Sequence, residues 1–446
     1  MKFRKFGRIA LALAASLVIG FGTQSCNYDY TEAYIIVTGS QYNQVASYRE
    51  DNETGVLTPA PHDPLSSGGT NPVRAQLLTG GRYVYVLNQG NPATAADGTI
   101  TWTGANISLF SIGGDGSLAY QLSYPSQGFG SIRIALSTSG GFLYILDKYQ
   151  PGTNPNTTAA STTFSTATPC YDSTSGVYRP AGDISVYSID SSTGRLFLVQ
   201  NQQQQNALGT PLSYFPIGCG AIDFHLSSGY LYTVEASDPA NPSSQGQVVY
   251  AYSASSNGQL IQVPGGSQVI SGATNIGVIG TSASGSYVYL LDNGTNSIFT
   301  FTTGANGLLS SISGGAVGNT PNASGMSALT TDSSSKYLYI TNTQSTSLGQ
   351  SNSIISAFII NPSSGDLTPF SDTIAANTST FPTGSGPVCL FEDPSHQYLY
   401  TADAGSSTVS GAALQPDTGI LTDLRKGTSF VTVGTPTWCL YSSNTD

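Results

Sequence analysis

The chain has 446 residues, and only 9% of them are charged, against roughly 25% in typical soluble domains. Its 51 glycines, 26 tyrosines and 17 phenylalanines favour short strands and tight turns over helices. A formal charge of −11 opposes binding to nucleic acid, which we exclude as a partner.

Residues 1–25 have the organisation of a bacterial export signal. A basic start precedes an apolar segment over residues 9–21, which is too short to cross a bilayer as a permanent helix. Small and polar residues then lead to Cys26, as at the lipidation site of bacterial lipoproteins, although Thr23 stands where Leu is usual. We therefore expect a signal peptide over 1–25, a lipid on Cys26 and a short tether over 26–33. Signal-peptide cleavage without lipidation is the alternative.

Removal of the export signal leaves a more acidic chain. It carries 10 Lys and Arg against 25 Asp and Glu, a formal charge of −15. Such a surface repels anionic lipid headgroups, so the lipid anchor is the only membrane attachment that we expect. An even number of cysteines in an exported chain favours two disulfides over a metal site. The four are Cys170, Cys219, Cys389 and Cys439.

A strand motif of aromatic and aliphatic residues recurs from residue 34 onwards. Its aromatic and β-branched content predicts a strand at each copy. The tyrosine in the middle of the motif recurs at one position, which indicates core packing, and Trp438 near the C terminus is also interpreted as core. The copies are YIIVTG (34–39), YVYVLN (83–88), FLYILD (142–147), YLYTVE (230–235), YVYLLD (287–292), YLYITN (337–342) and YLYTAD (398–403).

A second strand motif follows each copy and always leads into a Gly-x-Leu turn. Glycine allows the positive φ that a hairpin turn requires, and the leucine begins the returning strand. The leucines are 49 to 78 residues apart, a spacing that fits one four-stranded propeller blade with its loops. They are Leu57, Leu118, Leu196, Leu260, Leu309, Leu367 and Leu421. The two motifs together predict an all-β, seven-bladed β-propeller with four-stranded antiparallel blades.

The two ends of the repeat region complement each other. The region begins at YIIVTG without an inner strand before it, whereas PTWCLYSS (436–443) has the pattern of an inner strand with nothing after it. We therefore predict that the C-terminal strand joins the N-terminal blade and closes the ring, because closure removes exposed sheet edges. The predicted propeller domain covers residues 34–446.

The longest insertion, residues 148–180, separates the second and third strands of the third blade. Shorter insertions at 89–105, 236–246 and 343–352 interrupt the same connection in other blades. All are therefore expected to project from one face, where an envelope protein or a polysaccharide is a conceivable partner.

The repeated Tyr-Leu-Tyr-x-x-Asn/Asp strands with Gly-x-Leu hairpins resemble the lactonase-type seven-bladed propellers. That family includes 6-phosphogluconolactonases and YVTN repeat proteins, and the resemblance over residues 34–446 implies their fold. Its enzymes commonly carry Pro-Arg-His on an inner strand shortly before a Phe. In the best local match, which reaches Phe224, Gly220 and Ala221 occupy the Arg and His positions. Arg74 and Arg133 fall at the His-equivalent place in blades 2 and 3.

Arg74, Arg133, Asp223 and Glu235 form the candidate catalytic group. The first three lie on predicted inner strands, which line the channel of a propeller, so they are expected to converge at one mouth. Arginine holds a substrate carboxylate or polarises a lactone carbonyl, and an acidic side chain activates water. A purely structural ion pair in the channel is the competing interpretation.

The sequence predicts no metal and no cofactor. The histidines are His62, His225 and His396, which lie on different blades without ligand spacing and are interpreted as solvated. The chain also lacks a Gly-x-Ser-x-Gly nucleophile elbow and a glycine-rich phosphate loop.

The cysteines are expected to form two disulfides that act on the ring. Cys389 with Cys439 would link the last inner strand to the closing strand. Cys170 with Cys219 would tie the longest insertion to the next inner strand. Each bridge requires Cα atoms about 4.4–6.8 Å apart.

Three functions are compatible with these observations. The first is an exported, lipid-anchored propeller with a binding or scaffolding role at the cell envelope, acting as a monomer on a small molecule or an envelope partner. The second is a lactonase that opens a sugar or organic-acid lactone at the channel mouth. The third is an adhesin-like platform built on the polar loops. The missing Pro-Arg-His run favours binding, whereas the paired arginines favour catalysis.

Overall fold

The described part of the chain consists of strands and contains no helix, which confirms the prediction of an all-β protein. The computed structural model describes residues 31–80, 82–94, 100–151, 170–172, 177–237, 247–345, 353–370 and 380–443. Cys26, the predicted signal peptide and most of the predicted tether lie outside these ranges. No helix within them is long and apolar enough to span a membrane.

The strands form antiparallel meanders, labelled sheets A to G here, in which each strand pairs with the next along the chain. Sheet A consists of Pro436–Ser443, Thr31–Gly39, Gln44–Asp51 and Leu57–Pro59. Sheet B consists of Pro72–Leu77, Tyr83–Asn88, Asn106–Ile112 and Leu118–Tyr124. Sheet C consists of Phe129–Leu136, Phe142–Tyr149, Ala181–Ile189 and Leu196–Leu198. Sheet D consists of Phe215–Ser227, Tyr230–Ser237, Val248–Ala254 and Leu260–Val269.

The remaining sheets follow the same plan. Sheet E consists of Ile276–Thr281, Tyr287–Asp292, Ser297–Thr303 and Leu309–Ser311. Sheet F consists of Ala323–Thr331, Tyr337–Ser345, Ile354–Ile360 and Leu367–Pro369. Sheet G consists of Phe391–Glu392, Tyr398–Asp403, Thr408–Gln415 and Ile420–Asp423. In each sheet the strands are called first to fourth in the order given.

Short additional strands extend this plan. Four of them pair with third strands of sheets A, E, F and G, namely Leu65–Ser66, Val317–Gly318, Thr380–Pro382 and Ser429–Val431. Three small hairpins are formed by Asn91–Thr94 with Ile100–Thr103, Tyr171–Asp172 with Val177–Tyr178, and Asn201–Gln205 with Pro211–Leu212. Sheets C and D are continuous, because the third strand of C also pairs with the first strand of D.

Sheet A joins the two ends of the described chain. Its first strand, Pro436–Ser443, pairs antiparallel with Thr31–Gly39, and the register places Val37 opposite Cys439. Both strands are central in the sheet and have buried side chains. The pairing satisfies backbone groups that an unpaired edge would leave open.

The two repeated sequence motifs meet at one type of joint between neighbouring sheets. The first aromatic residue of each second strand packs against the glycine of the Gly-x-Leu turn in the next sheet. A Cβ atom added to any of these glycines would lie within 3.0 Å of that aromatic ring. The pairs are Tyr34–Gly116, Tyr83–Gly194, Phe142–Gly258, Tyr230–Gly307, Tyr287–Gly365, Tyr337–Gly419 and Tyr398–Gly55. The glycine is therefore required both for the turn, at positive φ, and for the space occupied by the ring.

A hydrogen bond reinforces several of these joints. The buried tyrosine two residues further along the second strand donates its hydroxyl to the carbonyl of the same turn glycine. This bond joins Tyr85 to Gly194 and Tyr232 to Gly307, at 2.8 and 3.0 Å. It also joins Tyr339 to Gly419 and Tyr400 to Gly55, at 2.9 and 2.8 Å.

The last residue of most second-strand motifs is a fully buried polar group. Asn88, for example, donates to the carbonyl of Ser67 and to the hydroxyl of Ser108, both at 3.1 Å. Asp147 accepts hydrogen bonds from the Ser126 and Ser185 hydroxyls. Burial raises the pKa of Asp147 to about 6, against these hydrogen bonds. The motif therefore ends in an acceptor or donor that satisfies the adjoining loop.

Two disulfides cross-link the described residues. One joins Cys170 to Cys219, with Cα atoms 5.4 Å apart, and the other joins Cys389 to Cys439, with Cα atoms 5.7 Å apart. The second bond connects the segment just before sheet G with the first strand of sheet A. All four cysteines are buried.

Candidate functional site

The first strands of the sheets surround a cavity of about 460 Å³, called the first-strand cavity below. Each first strand presents to it the residue opposite the fifth position of the neighbouring second-strand motif. A register shift just before this residue recurs in sheets B to F. The residues at this equivalent position in sheets A to F are Trp438, Arg74, Arg133, Asp223, Val278 and Ala328. They all line the cavity.

Arg133 and Asp223 form a bidentate ion pair in the cavity wall. The Arg133 Nε donates to Asp223 Oδ1, and Nη2 donates to Oδ2 at 3.0 Å. The Asp223 carboxylate also accepts the backbone N–H of Phe224 at 2.8 Å and of Ile279 at 3.0 Å. Asp223 is 2% exposed, so its charge depends on these four donors. The pair fixes the plane of the Arg133 guanidinium and leaves Nη1 outside the bidentate contact.

Arg74 is held differently, without a carboxylate. Its guanidinium lies over the indole of Trp438, with Cζ 4.3 Å from the ring centroid, in the geometry of a cation–π contact. Nη1 donates to the carbonyls of Val73 and Thr437, at 2.8 and 3.1 Å. Nε is buried and has no hydrogen-bond partner among the described residues. The positive charge of Arg74 is therefore oriented but not neutralised by a contacting acid.

His225 lies two residues beyond Asp223 on the same strand. Because side chains alternate along a strand, both residues face the first-strand cavity. His225 Nε2 forms a hydrogen bond of 3.0 Å with the hydroxyl of Thr281. Burial lowers the pKa of His225 and the charge of Arg133 lowers it further, although Asp223 raises it. The imidazole is therefore neutral at neutral pH and has a lone pair that can accept a proton.

The opposite wall of the cavity is formed mostly by carbon. Sheets E and F contribute aliphatic side chains there, and Leu390 adds another before sheet G. The described residues on this wall are Val278, Ile279, Ala328, Leu329 and Leu390. The cavity therefore has a polar side, built by sheets A to D, and an apolar side.

Three of the four predicted catalytic residues line the first-strand cavity, and Glu235 does not. Arg74, Arg133 and Asp223 come together there. Glu235 is the last residue of its second-strand motif, fully buried, and accepts a hydrogen bond from the Thr233 hydroxyl at 2.8 Å. The prediction that Glu235 belongs to this group was wrong, because that motif position serves the adjoining loop rather than the cavity.

Two further expectations are corrected by the structure. Trp438 is half-buried and supports Arg74 in the cavity instead of being simply core. His225 is half-buried and not solvated, whereas His62 and His396 are exposed. The signal for His225 was present in the sequence, since Asp223 and His225 have the i, i+2 spacing of one strand face. Within the described ranges, no group of three or more His, Cys, Asp or Glu residues is placed to hold a metal ion.

Known proteins resemble this chain in structure but not in sequence. No protein-family model matches it, and no curated protein matches it. Two similar structures are described as putative 6-phosphogluconolactonases. The one from Bacteroides uniformis is 17% identical, with a TM-score of 0.63, and the match covers 92% of this chain and all of that one. The one from Bacteroides fragilis is 16% identical, with a TM-score of 0.64 and coverage of 93% and 99%.

A third similar structure is the periplasmic gluconolactonase of Pseudomonas aeruginosa. It is 15% identical to this chain, with a TM-score of 0.63, and the match covers 92% of this chain and 98% of that one. Identities this low establish shared architecture and carry no information on substrates. The chain therefore has the lactonase-like β-propeller fold.

Proposed function

We propose that this protein is a lactone hydrolase and that the first-strand cavity is its active site. The observation that carries the proposal is the convergence there of a neutral imidazole, an oriented arginine pair and an apolar wall. Lactone opening requires a group that accepts a proton from water and a donor that stabilises the developing oxyanion. His225 and Arg133 offer these two chemistries on adjacent first strands.

In the proposed reaction, His225 takes a proton from water as the water oxygen bonds to the lactone carbonyl carbon. The Arg133 guanidinium, held by Asp223, stabilises the negative charge on the carbonyl oxygen. The ring C–O bond then breaks, and the leaving oxygen takes the proton back from His225. The product is a hydroxy acid. Asp223 acts by positioning Arg133, because four donors already occupy its carboxylate.

A lactone panel tests the proposal. Purified protein is assayed by base titration against five- and six-membered lactones, with His225→Asn and its matched control His62→Asn. Loss of the general base is expected to lower kcat/KM by roughly 10²- to 10⁴-fold, while His62→Asn, at an exposed position, retains the wild-type value. Wild-type protein that hydrolyses no lactone faster than buffer would contradict the proposal.

The ion pair needs a second variant pair, because removal of one partner leaves a buried charge. Arg133→Ala is therefore compared with the double variant Arg133→Gln/Asp223→Asn, which keeps both side-chain volumes and removes both charges. Both are expected to lose activity, and the double variant is expected to unfold at a temperature closer to that of the wild type. Full activity in the folded double variant would exclude Arg133 from catalysis.

Binding without turnover is the second candidate function. It is favoured by the saturated hydrogen bonding of Asp223, which resembles a structural ion pair more than a proton acceptor. Under this alternative, calorimetry would detect ligand binding in the first-strand cavity while the lactone panel shows no hydrolysis. An envelope protein or a polysaccharide at the polar loops remains part of this proposal.

We also propose that sheets A to G are the seven blades of one closed ring. Supporting observations are the contacts between successive first strands, including those of G and A, and the pairing of Pro436–Ser443 with Thr31–Gly39. The Tyr398–Gly55 joint between sheets G and A has the same form as every other joint. An experimental structure with six or eight blades would overturn this proposal.

Export is proposed on three grounds. These are the signal-like segment over residues 1–25, the two disulfides, and the structural likeness to a periplasmic gluconolactonase. The proposed mature chain begins at Cys26 with a lipid, followed by a tether and one domain over 34–446. Intact-mass analysis of protein extracted from membranes tests both steps, and a free Cys26 thiol in soluble protein would exclude the anchor.

A further inference from the structure

The charges that line the first-strand cavity leave one of them uncompensated. Arg133 is neutralised by Asp223, and burial keeps His225 uncharged at neutral pH. Arg74 contacts an indole and two carbonyl groups but no carboxylate among the described residues. A formally acidic protein thus holds one fixed positive charge in this cavity.

The geometry of Arg74 suits a single carboxylate. Nη1 is tied to the carbonyls of Val73 and Thr437, which fixes the guanidinium against Trp438 and sets the direction of its other N–H groups. Nε is buried without a partner, and an unsatisfied buried donor is costly. The Nε and Nη2 edge of a guanidinium accepts a carboxylate through two parallel hydrogen bonds.

The rest of the cavity is poorly suited to a polyhydroxylated ligand. The aliphatic wall offers no hydrogen bonds to sugar hydroxyls. The hydroxyl groups in the lining are engaged within the protein: Thr281 with His225, Ser327 with the Pro387 carbonyl, Thr330 with the Thr331 carbonyl, and Thr331 with the Ala283 N–H. Burial of a sugar hydroxyl without a partner would cost binding free energy.

We propose that Arg74 binds the carboxylate of a substrate whose remaining atoms are mostly carbon, so that the substrate class is a carboxylated hydrocarbon lactone. This inference rests on the proposed hydrolase function and narrows it. The single cation matches a monoanion, and the aliphatic wall matches the hydrocarbon part. Arg74 is thus the residue that determines substrate specificity, separate from His225 and Arg133, which act on the lactone carbonyl.

The test uses a matched pair of probes. One is γ-butyrolactone with a carboxymethyl substituent, and the other is its methyl ester, which has the same skeleton without the charge. Wild-type protein is expected to prefer the acid in kcat/KM by roughly ten- to a hundredfold, the range of hydrogen bonds to a charged group. Arg74→Gln is expected to abolish the preference, and Arg74→Lys, which keeps the charge but not the fork, to retain a part of it. Arg195→Gln, an exposed turn residue, is the control with unchanged preference.

Two further measurements separate failure of this inference from failure of the hydrolase proposal. Glucono-δ-lactone and its 6-phosphate are assayed beside the probe pair; hydrolysis of either at higher kcat/KM than the carboxymethyl lactone would overturn the inference and keep the hydrolase function. The carbocyclic ketone analogue of the acid, which cannot be hydrolysed, is titrated by calorimetry. Binding to the wild type and to Arg195→Gln but not to Arg74→Gln, without turnover of any lactone, would support the carboxylate site and overturn hydrolysis. No binding of this acid to the wild type would overturn the carboxylate site itself.

Discussion

The joints between sheets and the first-strand cavity follow opposite rules. At the joints, every sheet places an aromatic ring of its second strand on the turn glycine of the next sheet. At the equivalent cavity position, sheets A to F present an indole, two guanidinium groups, a carboxylate, an isopropyl group and a methyl group. The joint is constrained by packing between identical units, whereas the cavity position contacts open space and is free to differ.

This contrast separates residues that stabilise the fold from residues that select a ligand. A repeated side chain at a repeated position is explained by its neighbours in the sheets. A residue that breaks the repeat at a cavity position, such as Arg74 or Asp223, is not needed by every sheet. The following predictions test this division, in order of decreasing expected effect.

Loss of the disulfide between Cys389 and Cys439 should give the largest effect on stability. The two cysteines are 50 residues apart in sequence, and loop-closure entropy for such a loop gives about 4 kcal/mol. Chemical denaturation of a Cys389→Ala/Cys439→Ala variant measures this difference. The Cys170–Cys219 bond, with a separation of 49, should give a similar value, because the entropic contribution depends on loop length and not on position. A loss below about 1 kcal/mol for the first pair would show that packing alone holds sheets G and A together.

Gly307→Ala should destabilise the joint between sheets D and E by about 3 kcal/mol. The new methyl group would overlap the ring of Tyr230, which adds to the cost of a positive φ for a residue with a side chain. Gly315→Ala is the matched control, since Gly315 also has a positive φ but nothing lies within 4 Å of the added Cβ. It should cost only about 1 kcal/mol. Equal losses of unfolding free energy in the two variants would show that the ring contact is unimportant.

The pH dependence of hydrolysis should report on His225. The proposed base works as the neutral imidazole, and its pKa is lowered from the usual 6.5. Activity should therefore be full at neutral pH and persist below pH 6.5, then fall about tenfold per pH unit once the imidazole becomes protonated. The measurement is kcat/KM against pH, corrected for spontaneous hydrolysis. A midpoint above 6.5, or a profile that His225→Asn leaves unchanged, would assign the proton transfer to another group.

The tyrosine hydroxyls at the joints should give the smallest effect. Tyr232→Phe removes a hydrogen bond to the Gly307 carbonyl and should cost about 1 kcal/mol. Tyr289 occupies the same motif position, but its buried hydroxyl has no hydrogen-bond partner among the described residues. Tyr289→Phe should therefore be neutral or slightly stabilising in thermal unfolding. A larger loss for Tyr289→Phe than for Tyr232→Phe would contradict the assignment of these bonds.

Much of the fold was predictable from the sequence because the packing is periodic. The second-strand motif and the Gly-x-Leu turn recur together, and the structure shows that they contact each other across each joint. Local strand propensity and turn chemistry agree with this packing at every copy, so the all-β architecture could be recognised without coordinates.

The cavity was predictable only in part, since it depends on register and on contacts between sheets. The i, i+2 spacing of Asp223 and His225 was visible in the sequence, but a register shift between Ala221 and Asp223 sets which face both occupy. A shift of one residue would turn them away from the cavity.

The sequence by itself determined the repeated strands, the turns and the arginines that break the repeat. Only the tertiary structure decided that Arg133 reaches Asp223, 90 residues further along, while Arg74 rests on Trp438 from the other end of the chain. It also decided that Glu235 belongs to a strand end rather than to the cavity. The physical reason is that strand propensity and turns act over a few neighbouring residues, whereas the partner of a charged side chain is set by how the sheets pack.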